Sequence, residues 1–149
     1  MQLFHGSYET ISEIKNQGLF GGLFAADSEA SALAHGDVLH VIEIEDSKAL
    51  TQSVLSYELD HEAVMAALNE VAGHWCEDLD RLYELAIEEA QVKDADIELL
   101  KAEDWADAGW EAQRIRGQVA KALGFQAVEM SDEHGTTWLV MPGANIREA

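Results

Sequence analysis

Residues 110–141 read WEAQRIRGQVAKALGFQAVEMSDEHGTTWLVM, and the change of rhythm inside this run decides the fold class. Residues 110–123 carry helical spacing, and Gly124 stands where a helix ends in a left-handed residue. Beyond it, 125–130 (FQAVEM) and 136–141 (TTWLVM) are strand-like, separated by a loop over 131–135 (SDEHG). Pro142-Gly143 closes the second strand. A helix feeding a hairpin makes the end of the chain mixed α and β.

Upstream, from Asp60 to about Leu100, the periodicity is helical. Val64, Leu68 and Val71 recur at four and three, as do Leu79, Leu82 and Ala86 at three and four. The opposite faces carry acid: Glu77, Asp78, Asp80, Glu84, Glu88, Glu89, Asp94, Asp96 and Glu98. The beginning of the chain is different again. Residues 2–5 (QLFH) form a short strand that breaks at Gly6-Ser7, and 8–16 (YETISEIKN) a short helix or turn with Ile11 and Ile14 on one face. Gly18, Gly21 and Gly22 punctuate a loop around Leu19-Phe20, ahead of an apolar strand at Leu23-Phe24. Ser28 caps a helix over 28–35, and 38–45 (VLHVIEIE) is a half-buried strand. The expected fold is α+β: split antiparallel sheets drawn from both chain ends, with an acidic helical middle. One domain over 1–149, with a helical insertion at about 60–105, accounts for the whole chain.

Twenty-nine acidic residues face nine basic ones, a formal net charge of −20. Such a surface repels phosphate backbones, so direct nucleic-acid binding is not expected, whereas a basic protein surface would attract it. Cys76 is the only cysteine, which rules out an internal disulfide and fits a reducing compartment. No basic-then-apolar leader and no long apolar run is present, so neither export nor a membrane span is expected. The six histidines lack HExxH or any other ligand spacing, so no metal site is expected. A GxSxG elbow and a Gly-rich phosphate fingerprint are also missing.

Three stretches can carry chemistry. His5, at a strand end before Gly6-Ser7, can present its ring while the next backbone approaches a ligand closely. Phe24, after Phe20, Gly22 and Leu23, can stack on a flat group, and the helix that follows ends at His35. Asp132 and Glu133, on a loop between strands, can stabilise a developing cation. Read singly, each has an ordinary structural explanation: a surface histidine, a tight turn, two of many acids.

In this order, however, the stretches resemble the diphtheria-toxin-like class of ADP-ribosyltransferases. His5-Gly6-Ser7-Tyr8-Glu9, Phe20-Gly21-Gly22-Leu23-Phe24 and Asp132-Glu133-His134-Gly135-Thr136-Thr137-Trp138-Leu139 are similar to the type I-F anti-CRISPR ADP-ribosyltransferases of phages and mobile elements. Arg114 with Arg116-Gly117, and Val128-Glu129-Met130, extend the likeness, while 46–105 contributes nothing to it. The resemblance implies an enzyme of the bacterial host cytoplasm that takes ADP-ribose from NAD. It would place it on an asparagine in the large subunit of the type I-F CRISPR surveillance complex, blocking recognition of target DNA. His5, Gly6, Ser7, Phe20, Gly22, Leu23, Phe24 and His35 would bind NAD, with Asp132 and Glu133 as catalytic carboxylates. Phe24 stands where many members of the class have tyrosine, and Thr137 where the wider class has glutamate. The competing readings are a non-enzymatic acidic mimic of DNA and a transferase toxin with another host target.

Overall fold

The computed structural model describes residues 1–132 and 135–149, Asp132 by its backbone alone. The chain divides into two compact units. The first combines Met1–Gln52 with Gly124–Ala149, and the second is Ser53–Leu123.

The first unit holds all the strands of the described residues. In chain order these are β1 (Gln2–Ser7), β2 (Leu23–Ala25), β3 (Val38–Glu43), β4 (Ala49–Leu50), β5 (Ala127–Asp132), β6 (Gly135–Val140) and β7 (Asn145–Glu148), with helix α1 (Glu29–Leu33) between β2 and β3. One sheet has the order β1-β3-β7 and the other β2-β6-β5-β4. All pairings are antiparallel except the short β4–β5 pair, which is parallel. Phe4 and Ala26 exchange two backbone hydrogen bonds, of 2.8 and 2.7 Å, and so stitch the sheets together beside the start of α1. Inward residues of both sheets, among them Leu3, Ile42, Trp138, Val140 and Ile146, share one apolar core.

Ser28 caps α1 as expected, its hydroxyl accepting from the Ser31 amide. Residues 8–16 form no helix. The Ile11 amide donates to the His40 ring at 2.8 Å instead of to a helical carbonyl, while Ile14 is buried and Ile11 packs beside it against the core. The expected 131–135 loop is also shorter, because β5 continues to Asp132 and β6 begins at Gly135.

The second unit contains α2 (His61–Ala72), α3 (Leu79–Ala86), α4 (Asp94–Leu99) and α5 (Trp105–Ala122). Helix α5 starts five residues earlier than the spacing suggests, because Asp104 caps it by accepting from the Asp107 amide at 2.8 Å. Ala108, Ala112, Ile115 and Val119 repeat at four, three and four and are buried against the other helices. The helix ends at Ala122 with Leu123 as its C-cap, and Gly124 just beyond takes a φ of +90°. Arg81 fastens α3 to α4 through Asp96, with N···O distances of 2.9 and 2.7 Å. That cation holds the Asp96 carboxyl below its ordinary range, the lysine-93 amide helping and burial opposing. Among the described residues, no helix is long and apolar enough to cross a membrane.

Candidate active site

In the first unit a half-open cleft of about 370 Å³ lies among β1, β2, α1 and β6. Strand β1 and its exit supply His5, Gly6, Ser7 and Tyr8; β2 supplies Phe24; α1 and its exit supply Ala32 and His35; β6 supplies Thr137. Two stretches almost twenty residues apart in sequence are thereby brought to one wall.

His5 is anchored at that wall. Its Nδ1–H donates to the Phe24 carbonyl at 2.6 Å, which leaves Nε2 as an acceptor. Burial, more than any neighbour, pushes the His5 imidazole below its ordinary range. The Phe24 carbonyl opposes this, and His40 and His35 add to it. Near neutral pH the ring is therefore uncharged, suited to accept from a hydroxyl.

Gly6 follows. In an antiparallel ladder, successive residues turn their N–H and C=O to opposite sides. Phe4 turns both toward Ala26, so Gly6, two residues on, turns its pair to the same side, away from β3. Beyond the Phe4–Ala26 bridge that side is the cleft. Only glycine fits here: a Cβ on Gly6 would lie 1.9 Å from the Ala32 carbonyl oxygen, and one on Gly36 would lie 2.3 Å from the Ser7 carbonyl carbon. These two contacts seat α1 hard against β1.

Phe24 faces the cleft with Phe20 edge-on behind it, ring centroids 4.9 Å apart. Thr137, in the position that resemblance gives to glutamate, donates its hydroxyl to the Ala25 carbonyl at 3.1 Å. Of the anticipated ligands, His5, Gly6, Ser7, Phe24 and His35 converge on the cleft. Phe20, Gly22 and Leu23 do not line it. Leu23 packs toward the core, and Gly22 lies against the Val140 carbonyl of β6. The Asp132 backbone ends β5 opposite Gly135, on the strand beside the one that carries Thr137. The Asp132 side chain and all of Glu133 lie outside the described residues. Tyr8, Ala32 and Thr137 are cleft residues that sequence reasoning missed. The sequence signal for Tyr8 is its place directly after Ser7 in the same motif.

Arg114 and Arg116, which extend the family likeness, both belong to the helical unit. Arg114 pairs with Glu111 at 2.8 Å, and the buried Arg116 reaches the Ala86 carbonyl at 3.2 Å and Glu89 at 3.1 Å. Among the described residues, no three His, Cys, Asp or Glu side chains gather as metal ligands.

A family model described as "Anti-CRISPR Type I-F ADP-ribosyltransferase AcrIF11" matches residues 1–149. Among solved structures, one titled "Crystal structure of an anti-CRISPR protein" is similar at 40% sequence identity and a TM-score of 0.75. The match covers 100% of this chain and 95% of that one. No match was found among curated proteins.

Proposed function

The chain belongs to the AcrIF11 family of type I-F anti-CRISPR ADP-ribosyltransferases, enzymes that use NAD and act on a CRISPR-related protein; from that premise we propose that the β1–β2–α1 cleft binds the nicotinamide–ribose end of NAD. We further infer that the acceptor is an asparagine on the large subunit of the type I-F surveillance complex, in the bacterial cytoplasm. Residues 1–149 then act as one transferase domain in which the helical stretch is an insertion.

The observation that carries this reading is the convergence of His5, Gly6 and Phe24 in one cleft of fitting size. A carboxamide needs one donor and one acceptor side by side, and the cleft-facing N–H and C=O of Gly6 are such a pair. Nicotinamide is a flat ring, and Phe24 offers a flat face that needs no hydroxyl. A ribose hydroxyl needs an acceptor, and Nε2 of His5 is one. Ser7 and His35 extend the same wall. A cleft of about 370 Å³ takes the nicotinamide riboside, while the diphosphate extends outward, where backbone amides of the 18–22 loop can meet it.

In the reaction the bond between the anomeric carbon and the nicotinamide nitrogen breaks, and its electron pair leaves with neutral nicotinamide. Positive charge develops on the ribose. Asp132 stabilises that charge, a contribution of about 3 kcal/mol for one well-placed group. The target amide nitrogen then bonds to the anomeric carbon and loses a proton, with Glu133 as its acceptor or orienting group. Confinement in the cleft supplies the alignment. The net negative charge assists encounter with a basic target but is not itself the inhibitory device, since the family is enzymatic.

The test is incubation with labelled NAD and purified surveillance complex, followed by mass mapping of the labelled residue. One ADP-ribose on an asparagine of the large subunit supports the proposal, and label on another host protein redirects it to that target. Asp132→Ala should fold and bind NAD yet transfer about 10²- to 10³-fold more slowly. Full transfer by that variant removes Asp132 from its role.

A further inference from the structure

We propose that His40, which is fully buried behind the cleft, is a positioning residue for NAD binding, acting through His5 and through the Tyr8–Ile11 segment. The inference rests on the cleft being the NAD site.

His40 lies on β3 directly opposite His5 on β1, with ring centroids 6.1 Å apart. Its ring has 0% exposure and meets two backbone groups on opposite sides. The Ile11 amide can only donate, so Nε2 of His40, at 2.8 Å, accepts and carries no proton. The proton is then on Nδ1, which donates to the His5 carbonyl at 3.2 Å. One imidazole thus joins the peptide that carries His5 to the Ile11 amide, four residues beyond the end of β1.

The segment between those two points holds Tyr8, which lines the cleft with its residue surface 85% exposed. Thr10 adds a second tether, its hydroxyl donating to the Glu148 carboxylate at 3.0 Å. Tyr8 therefore does not hang from a free loop. It is held between the end of β1 and an amide fixed by His40. A strand residue whose only task was to fill space would not need a ring with one donor and one acceptor. An apolar residue would cost less to bury. The polar choice makes sense where the two groups it joins must keep a fixed separation at a ligand wall.

The variants are His40→Leu, which removes both bonds at similar size, and His40→Gln, whose amide can again accept and donate. NAD is titrated against each protein, and transfer is followed with NAD varied. His40→Leu should raise KM for NAD about tenfold. Its kcat should stay within about threefold, because the two ring bonds of His40 go to Ile11 and His5 and not to the described residues of β5 or β6. His40→Gln should recover at least half of the lost affinity on a logarithmic scale. A wild-type KM in His40→Leu overturns the inference whatever its melting temperature, as does a His40→Gln protein as impaired as His40→Leu. If His40→Leu does not fold, His40→Asn replaces it, with a shorter amide that cannot span both partners, and the same two outcomes decide. Wild-type protein that fails to bind NAD, or His5→Ala that binds it normally, removes the cleft as the NAD site and the inference with it.

Discussion

His5 donates its Nδ1 proton to the carbonyl of Phe24 across a separation of 2.6 Å, so one hydrogen bond fixes a ring on β1 and the backbone that presents a ring on β2. The two residues are nineteen positions apart. Disturbing either one therefore changes the wall that the other contributes.

The folded pKa of His5 lies below the 6.5 of an unfolded imidazole, chiefly through burial. As pH falls through 6.5 the unfolded chain takes up a proton before the folded chain does, so stability declines from there toward the depressed folded value. Above 6.5 both states are neutral and the contribution is flat. His5→Gln should lose less stability than wild type between about pH 7.5 and about pH 5.5, measured by urea midpoints. Equal losses would remove His5 as a source of the acid sensitivity.

Phe24 is expected to work through its ring alone. Phe24→Tyr should transfer ADP-ribose at close to the wild-type rate, whereas Phe24→Ala should bind NAD about tenfold more weakly. Calorimetric titration with NAD separates the two. Unchanged binding in Phe24→Ala would mean that nicotinamide stacks elsewhere.

Gly6 leaves no room for a methyl group. Gly6→Ala would press a Cβ onto the Ala32 carbonyl, which must move by more than 1 Å from the 1.9 Å approach. The expected cost is about 1–3 kcal/mol of stability together with loss of NAD binding, as α1 shifts off β1. A crystal structure of a Gly6→Ala protein with α1 in place and NAD bound would contradict the close approach.

In the helical unit, Asp96→Ala should destabilise by about 2 kcal/mol, because it removes the acceptor of two Arg81 hydrogen bonds and of the Lys93 amide, while Glu84 still pairs with Arg81. The carboxyl is held below its ordinary 3.8, so its contribution is present above that pH and disappears as pH falls through the depressed value. Thermal melts of wild type and Asp96→Ala should therefore differ at neutral pH and converge in acid. A constant difference across that range would sink the linkage.

Local signals were legible wherever one short stretch contained its own explanation. Ser28 capping α1, Gly124 ending α5, and the strands around Phe4, Ile42 and Trp138 all follow from spacing and side-chain type. His5, Gly6 and Phe24 were legible as candidates, and they share a cleft because the Phe4–Ala26 bridge lays β1 beside β2. Distant partners hid the rest. Within VLHVIE, His40 is an ordinary strand residue until the Ile11 amide arrives from another segment. That same bond is why 8–16 is not helical. The strand β7 buries a single residue, Ile146, and β4 is two residues long, too little pattern for either to stand out. Nothing in the local sequence marks Arg116 as buried, yet it is 1% exposed, with Ala86 and Glu89 meeting it from another part of the chain.

The division of the chain also sorts its contacts by how far apart in sequence their partners lie. The helical unit is one continuous stretch, 53–123, whose internal contacts come from neighbouring segments of the chain. The sheet unit differs, because β3 waits for β7, with His40 pairing opposite Glu148, and β2 waits for β6. Thr137 reaches the cleft only when that last hairpin closes. The cleft is therefore a long-range product of the chain, in which β1, β2 and α1 wait for a strand that lies beyond the whole helical stretch.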